Sequence, residues 1–170
     1  MLGCGKEVAS ESKAAQLEAK KHIESLYLDW YSVEADDDVD DIAENVERTL
    51  DGLQPPQLLE ALEVQNYTGM RFSTWLSSLT NLVILRSEYC RSCQHLPPLR
   101  YLLSLKELLL RGLPSLEYVN DDQVSTSYLS ASTMPFFPSL EKLSIINCHN
   151  LKGWWQIKRG NVGEKDNVLG

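Results

Sequence analysis

The spacing of the leucines constrains this chain more than any other feature it carries. There are 28 leucines among 170 residues, and most recur in the pattern L-x-x-L-x-L or a close variant of it. Five windows fit: Ile23-x-x-Leu26-x-Leu28, Leu59-x-x-Leu62-x-Val64, Leu82-x-x-Leu85-x-Ser87, Leu105-x-x-Leu108-x-Leu110 and Leu140-x-x-Leu143-x-Ile145. Their middle anchors lie at 26, 62, 85, 108 and 143, which gives two steps of 23 residues. The outer steps of 36 and 35 read as the same step carrying insertions of 13 and 12 residues. Side chains alternate along a strand, so the last two apolar residues of each window face one way. A strand this short cannot bury that face alone. Stacked in parallel about 4.8 Å from its neighbours, it merges into one continuous core.

A 23-residue period falls in the leucine-rich-repeat range. The predicted fold is therefore an α/β repeat: a leucine-rich-repeat solenoid with short parallel β-strands on its concave face and irregular or helical convex connections. The position three residues after the last inward strand residue, often Asn or Cys in such repeats, is here Tyr31, Tyr67, Cys90, Leu113 and Cys148. Free cysteine buries well, and two cysteines in that register support the alignment. Leucine at three- and four-residue spacing also builds helices, but Pro55-Pro56, Pro97-Pro98, Pro114, Pro135 and Pro138 argue against long helices there.

Three parts are expected: a polar, partly helical lead-in over residues 1–21, about five repeats over 22–155, and a disordered tail over 156–170. The repeats carry insertions at 31–57 and 120–135, and the first strand is placed at 22–30. In the first insertion Val39, Ile42, Val46, Leu50 and Leu53 are spaced as one face of a helix whose start lies in an acidic cluster, which suits the positive end of a helix dipole. The second insertion is rich in Ser, Thr and Asp, the composition of a flexible surface loop.

Composition excludes several classes. Residues 1–63 carry 5 basic and 16 acidic groups and residues 64–170 carry 11 and 8, for a net charge of −8. Wrapping nucleic acid is a poor default for such a chain. No apolar run is long enough to span a membrane, and, with no continuous apolar stretch and no Met-Gly at the start, neither secretion nor myristoylation is expected. Cys4, Cys90, Cys93 and Cys148 are then expected to be thiols in a reducing, cytoplasmic compartment. Cys90-x-x-Cys93 lacks the second ligand pair that structural zinc needs. Asp36, Asp38, Asp40, Glu44 and Glu47 fit a calcium-loop template except where glycine is required, since Asp41 stands there. His22, His95 and His149 pair with no Ser or Cys motif. No enzyme activity, metal or cofactor is expected.

The residues flanking the inward leucines form three outward columns: Ser25/Ala61/Ile84/Glu107/Lys142, Tyr27/Glu63/Arg86/Leu109/Ser144 and Asp29/Gln65/Glu88/Arg111/Ile146. Their charge is expected to run from acidic in the first strands to basic further on. The candidate partner-binding residues on this face are Tyr27, Asp29, Glu63, Gln65, Arg86, Glu88, Leu109, Arg111, Ser144 and Ile146.

Several stretches look like one family. They are Lys20-Lys21-His22-Ile23-Glu24-Ser25-Leu26, Arg71-Phe72-Ser73-Thr74-Trp75-Leu76, Leu79-Thr80-Asn81-Leu82-Val83 and, most specifically, Cys90-Arg91-Ser92-Cys93-Gln94-His95-Leu96-Pro97-Pro98-Leu99. Phe136-Phe137-Pro138-Ser139-Leu140-Glu141-Lys142-Leu143 and Asn150-Leu151-Lys152-Gly153-Trp154-Trp155 continue the series. Together they resemble the repeat region of plant intracellular immune receptors, the coiled-coil nucleotide-binding leucine-rich-repeat disease-resistance proteins. Ser73, Arg100, Leu103 and Ser87 depart from the family pattern, and Ser87 replaces a core leucine. No G-x-x-x-x-G-K-[ST] phosphate loop is present, so the chain is expected to be a fragment lacking the nucleotide-binding domain. The resemblance implies a protein-interaction module of defence signalling, engaging a pathogen effector, a guarded host protein or the receptor's own nucleotide-binding domain. A stand-alone repeat scaffold or a non-functional gene remnant is the alternative.

Overall fold

The computed structural model describes residues 13, 15–30, 39–125 and 137–158. In chain order the elements are β1 (Ser25–Asp29), α1 (Val39–Gly52), β2 (Ala61–Gln65), β3 (Ile84–Glu88), β4 (Glu107–Arg111), β5 (Tyr118–Ser125), β6 (Lys142–Ile146) and β7 (Gly153–Lys158), with 3-10 turns at Leu17–Ala19, Thr74–Ser78 and Leu99–Tyr101. Five strands make one parallel sheet in the order β1-β2-β3-β4-β6. Its register is the one the leucine spacing demands. Leu26, Leu62, Leu85, Leu108 and Leu143 stand side by side, as do Leu28, Val64, Ser87, Leu110 and Ile145.

The stacking is a relay of identical backbone bonds. Each strand starts with two N–H groups on one carbonyl of the strand before: Glu60 and Ala61 on Glu24, Val83 and Ile84 on Glu60, Lys106 and Glu107 on Val83, Glu141 and Lys142 on Lys106. At the exit, one N–H reaches forward, from Trp30 to Gln65, Asn66 to Glu88, Tyr89 to Arg111 and Gly112 to Ile146. The exit residues Asn66, Tyr89, Gly112 and Asn147 all have positive φ, between 54° and 68°, which turns the chain sharply inward.

Beneath the sheet the core runs through Leu59, Leu62, Val64, Leu82, Leu85, Leu105, Leu108 and Leu110, all at most 1% exposed. At the position three residues after the inward strand residue, Tyr67, Cys90 and Leu113 are fully buried and Cys148 is half-buried, while Tyr31 lies outside the described residues. Tyr67 packs edge-on between Trp30 and Phe72 and donates its hydroxyl to the Arg71 carbonyl. Ser87, where a leucine was expected, is buried and donates its hydroxyl to the Cys90 Sγ at 3.3 Å, so its polar atom is satisfied inside the core.

The first insertion is helical, as its spacing predicts. Val46 and Leu50 of α1 enter the core, whereas Leu53 falls just past the helix end and is half-buried. Glu47 Oε1 accepts the backbone N–H groups of Met70 and Arg71 at 2.9 and 3.1 Å, which fastens α1 to the turn after β2.

Three expectations need correction. The first strand is confined to Ser25–Asp29, the five residues in register with Ala61–Gln65 of β2. Residues 120–125, expected in a loop, belong to β5, and residues 156–158, expected in the tail, belong to β7. These two strands pair in parallel and continue a flanking ladder that begins as single bridges from Arg71 to His95 and from His95 to Tyr118. Composition concealed them because their backbone pairing is non-local. The rest of the expected loop (126–136), the tail from 159 and the lead-in up to 12 lie outside the described residues, as do Asp36 and Asp38 of the calcium-loop template.

Candidate protein-interaction face

The alternation that buries the leucines turns the intervening residues to the other side of the sheet, and the observed register sets them in the three expected columns. All ten candidate residues therefore share one face. What the sequence did not reveal is how thoroughly they bind one another. The Tyr27 hydroxyl lies 3.1 Å from Asp29 Oδ2 and 3.3 Å from Gln65 Oε1, and Asn66 Nδ2 donates to Asp29 Oδ1 at 2.8 Å. Gln65 Nε2 donates to Glu63 Oε1 at 2.7 Å, and Glu63 Oε2 lies 3.8 Å from an Arg86 guanidinium nitrogen. Arg86 donates through Nε and Nη2 to Glu107 Oε1 at 3.1 and 2.9 Å, and Lys142 Nζ approaches Glu107 Oε2 at 3.4 Å. One polar chain thus crosses all five strands. Beside it, Arg111 donates to the buried Glu88 carboxylate at 3.0 Å.

Within the expected run from acidic first strands to basic later ones, the charges also compensate one another locally. Glu63 and Arg86 stand opposite each other in neighbouring strands, as do Glu107 and Lys142, and Arg86 reaches Glu107 diagonally, so the four charges alternate and compensate. The Arg86 hydrogen bonds, with help from the Arg86 and Lys142 charges, hold the Glu107 carboxyl below the usual carboxylate range. Local desolvation first, then the Asp29 carboxylate, raise the Tyr27 phenol above its ordinary value. Glu107, Lys142 and Asn66 join the face as contributors that the candidate set omitted. The signal for the first two was available in their column positions and in the opposite charges that flank them.

Between the charges the face carries apolar ground. Tyr27 is 55% exposed, Ile146 is exposed, and Ile84 and Leu109 are half-buried. Ser144 is half-buried beside Leu109 in the register. The Cys90 and Cys93 thiols lie elsewhere, inside the core, and burial pushes both up from their ordinary pKa, which keeps them protonated and poor nucleophiles. Among the described residues no group of three His, Cys, Asp or Glu side chains is placed to hold a metal, and no helix is long and apolar enough to cross a membrane.

The family model for R13L1/DRL21 leucine-rich repeats matches residues 4–113, well over half of the chain. The chain belongs to this family. Its match runs through β4 and stops where the flanking ladder broadens into β5. The chain is also similar to the disease resistance protein RGA4 of Solanum bulbocastanum, at 36% identity over 143 residues covering 82% of the chain. It is 34% identical to RGA1 of the same species over 92% of the chain, and 28% identical to the RPP13-like protein 1 of Arabidopsis thaliana over 85%. Those relatives are far longer: the chain spans 14% of RGA4 and RGA1 and 17% of the RPP13-like protein. The resemblance to plant disease-resistance proteins drawn from the repeat motifs is thereby borne out. No solved structure matches the chain.

Proposed function

We propose that the chain is a non-catalytic protein-interaction module, the recognition or autoinhibition region of a plant intracellular immune receptor, acting in the cytoplasm. The observation that carries this reading is the single face built by five parallel strands, where an exposed tyrosine and half-buried aliphatics are set among charges already matched to one another. Charges held in place by neighbours lose little freedom on binding, so such a face favours geometry and apolar anchors over bulk attraction. Tyr27, Leu109 and Ile146 are the anchors, and Arg86, Glu88, Arg111, Glu63, Gln65, Asp29 and Ser144 set the polar pattern around them. A pathogen effector, a guarded host protein or a nucleotide-binding domain of a parent receptor is the partner class.

The nucleotide-binding domain of an RGA4-type relative is the available probe. Binding of that domain to the immobilised chain, weakened at least tenfold by Leu109→Asp and by Tyr27→Ala, is the expected result. Binding that survives both substitutions removes the face from the proposal. No binding at all removes autoinhibition through this domain.

A further inference from the structure

The outer edge of β6 breaks the rule that the rest of the sheet obeys. Leu108 and Leu110 of β4 are fully buried, yet their partners in the register, Leu143 and Ile145, are 43% and 37% exposed. They face the same way as every inward leucine, but among the described residues no strand follows β6 in this sheet. The opposite edge is better protected: Leu26 and Leu28 of β1 are half-buried, and Ile23 and Trp30 pack with them against the core. β6 also leaves backbone groups unspent. At the equivalent exit position the N–H groups of Trp30, Asn66, Tyr89 and Gly112 each reach a carbonyl of the next strand, and among the described residues Asn147 has no such strand to reach. By alternation the N–H groups of Leu143 and Ile145 point the same way.

We propose that this edge is an interface between two copies of the chain, joined by antiparallel pairing of β6 with β6 about a two-fold axis at Ser144. The sequence of β6, Lys142-Leu143-Ser144-Ile145-Ile146, is complementary to itself in that register. Ser144 meets Ser144, Leu143 meets Ile145 and Lys142 meets Ile146, so no like charges stand opposite each other. Leu143 and Ile145, whose backbone groups point outward, become the hydrogen-bonded pairs and exchange N–H and C=O both ways. Ser144, whose backbone groups point back to β4, becomes the central non-hydrogen-bonded pair. Both inward side chains of each copy then cover those of the other, closing two open core ends at once. Such an isologous contact ends at two chains. Parallel stacking of β6 on β1 of another copy would instead grow without limit.

Light scattering after size exclusion tests this on the full chain. The expected mass is twice the 19.3 kDa of the single chain. Leu143→Lys alone and Ile145→Glu alone should each give the single-chain mass, because each sets two charges into the interface without partners. The two substitutions together should restore the dimer, since each lysine then faces a glutamate across the axis. A monomeric parent chain, a series of larger species, or a double variant that stays monomeric overturns the proposal. Where a single variant fails to fold by circular dichroism, hydrogen exchange of the parent decides. The amides of Leu143, Ile145 and Asn147 should gain at least tenfold protection as concentration rises, and unchanged exchange overturns the inference.

Discussion

The indole N–H of Trp75 donates to the main-chain carbonyl of Leu50 across 3.0 Å, and both residues are buried. The carbonyl belongs to the last turn of α1, where a helix leaves acceptors without internal partners. A tryptophan from the 3-10 turn after β2 therefore caps a helix inserted before it. The leucine-rich framework and the insertion are thus fastened by a side chain of the framework.

Trp75→Phe keeps an aromatic ring but removes the donor and part of the buried indole. The Leu50 carbonyl retains the Leu53 N–H at 3.1 Å, so it is not left bare. The loss should be about 2–3 kcal/mol, about 1 kcal/mol for the buried hydrogen bond and the rest for the ring atoms withdrawn from the core. Urea unfolding should show a lower midpoint with an unchanged slope. Glu47→Gln, which weakens the charge-assisted bonds to Met70 and Arg71, should act on the same helix. An unshifted midpoint in the double variant would show that Val46 and Leu50 burial alone holds α1.

Gly69 sits against the Tyr67 ring so closely that an added Cβ would lie 2.3 Å from the hydroxyl oxygen and 2.4 Å from Cζ. The ring cannot swing away easily, because Trp30 and Phe72 flank it at centroid distances of 5.0 and 5.2 Å. Gly69→Ala should cost about 1–3 kcal/mol, the range for overpacking a filled core. Combining it with Tyr67→Phe removes the nearest clashing atom, so the pair should cost less than the sum of the singles. Additive losses in thermal unfolding would place the strain in the turn instead.

The sheet was legible because its signal is local and repeated. A fixed step between leucines sets strand, face and register together, and the three outward columns follow without further information. The insertion helix was legible for the same reason, through the spacing of Val46 and Leu50. β5 and β7 were not, since a stretch holding Asn120, Asp121, Asp122 and Ser125 reads as loop until the pairing of Asn120 with Trp155 and of Ser125 with Lys158 is known. The compensation of charges across strands was hidden differently. Counting charge along the chain shows the totals, but the pairs Glu63–Arg86 and Arg86–Glu107 exist only after neighbouring strands are laid side by side.

Those pairs set a pH dependence. The folded pKa of Glu107 is lowered, chiefly by the Arg86 hydrogen bonds, relative to an ordinary value of 4.5. A carboxylate of this kind stabilises the fold above its unfolded pKa and loses that contribution as pH falls through the folded value. Glu107→Gln should therefore lower stability at pH 7 and make little difference once pH lies below the folded value. Urea midpoints of the two proteins, measured at pH 7 and in steps downward from pH 5, should converge. Because the pair is partly exposed, added salt should shrink the gap at pH 7 as well. A gap that persists in acid would mean that the substitution acts through packing.

Tyr89 occupies an exit position with φ of 58°, where the other repeats use Asn66, Gly112 and Asn147. An aromatic residue in the left-handed region is held against its own preference, at a cost of roughly 1–2 kcal/mol. Its ring is 45% exposed, so burial offsets little of that. The ring does lie over Gly112, where its Cδ1 would stand 3.1 Å from an added Cβ. Asparagine tolerates this conformation, and Tyr89→Asn should raise stability by about 0.5–1 kcal/mol. Gly112→Ala should be destabilising for two reasons, its own φ of 68° and the ring above it. In the Tyr89→Asn background only the first remains, so the cost of Gly112→Ala should fall. If Tyr89→Asn lowers the unfolding midpoint instead, the contact over Gly112 outweighs the backbone strain and the ring is a structural part of the exit turn.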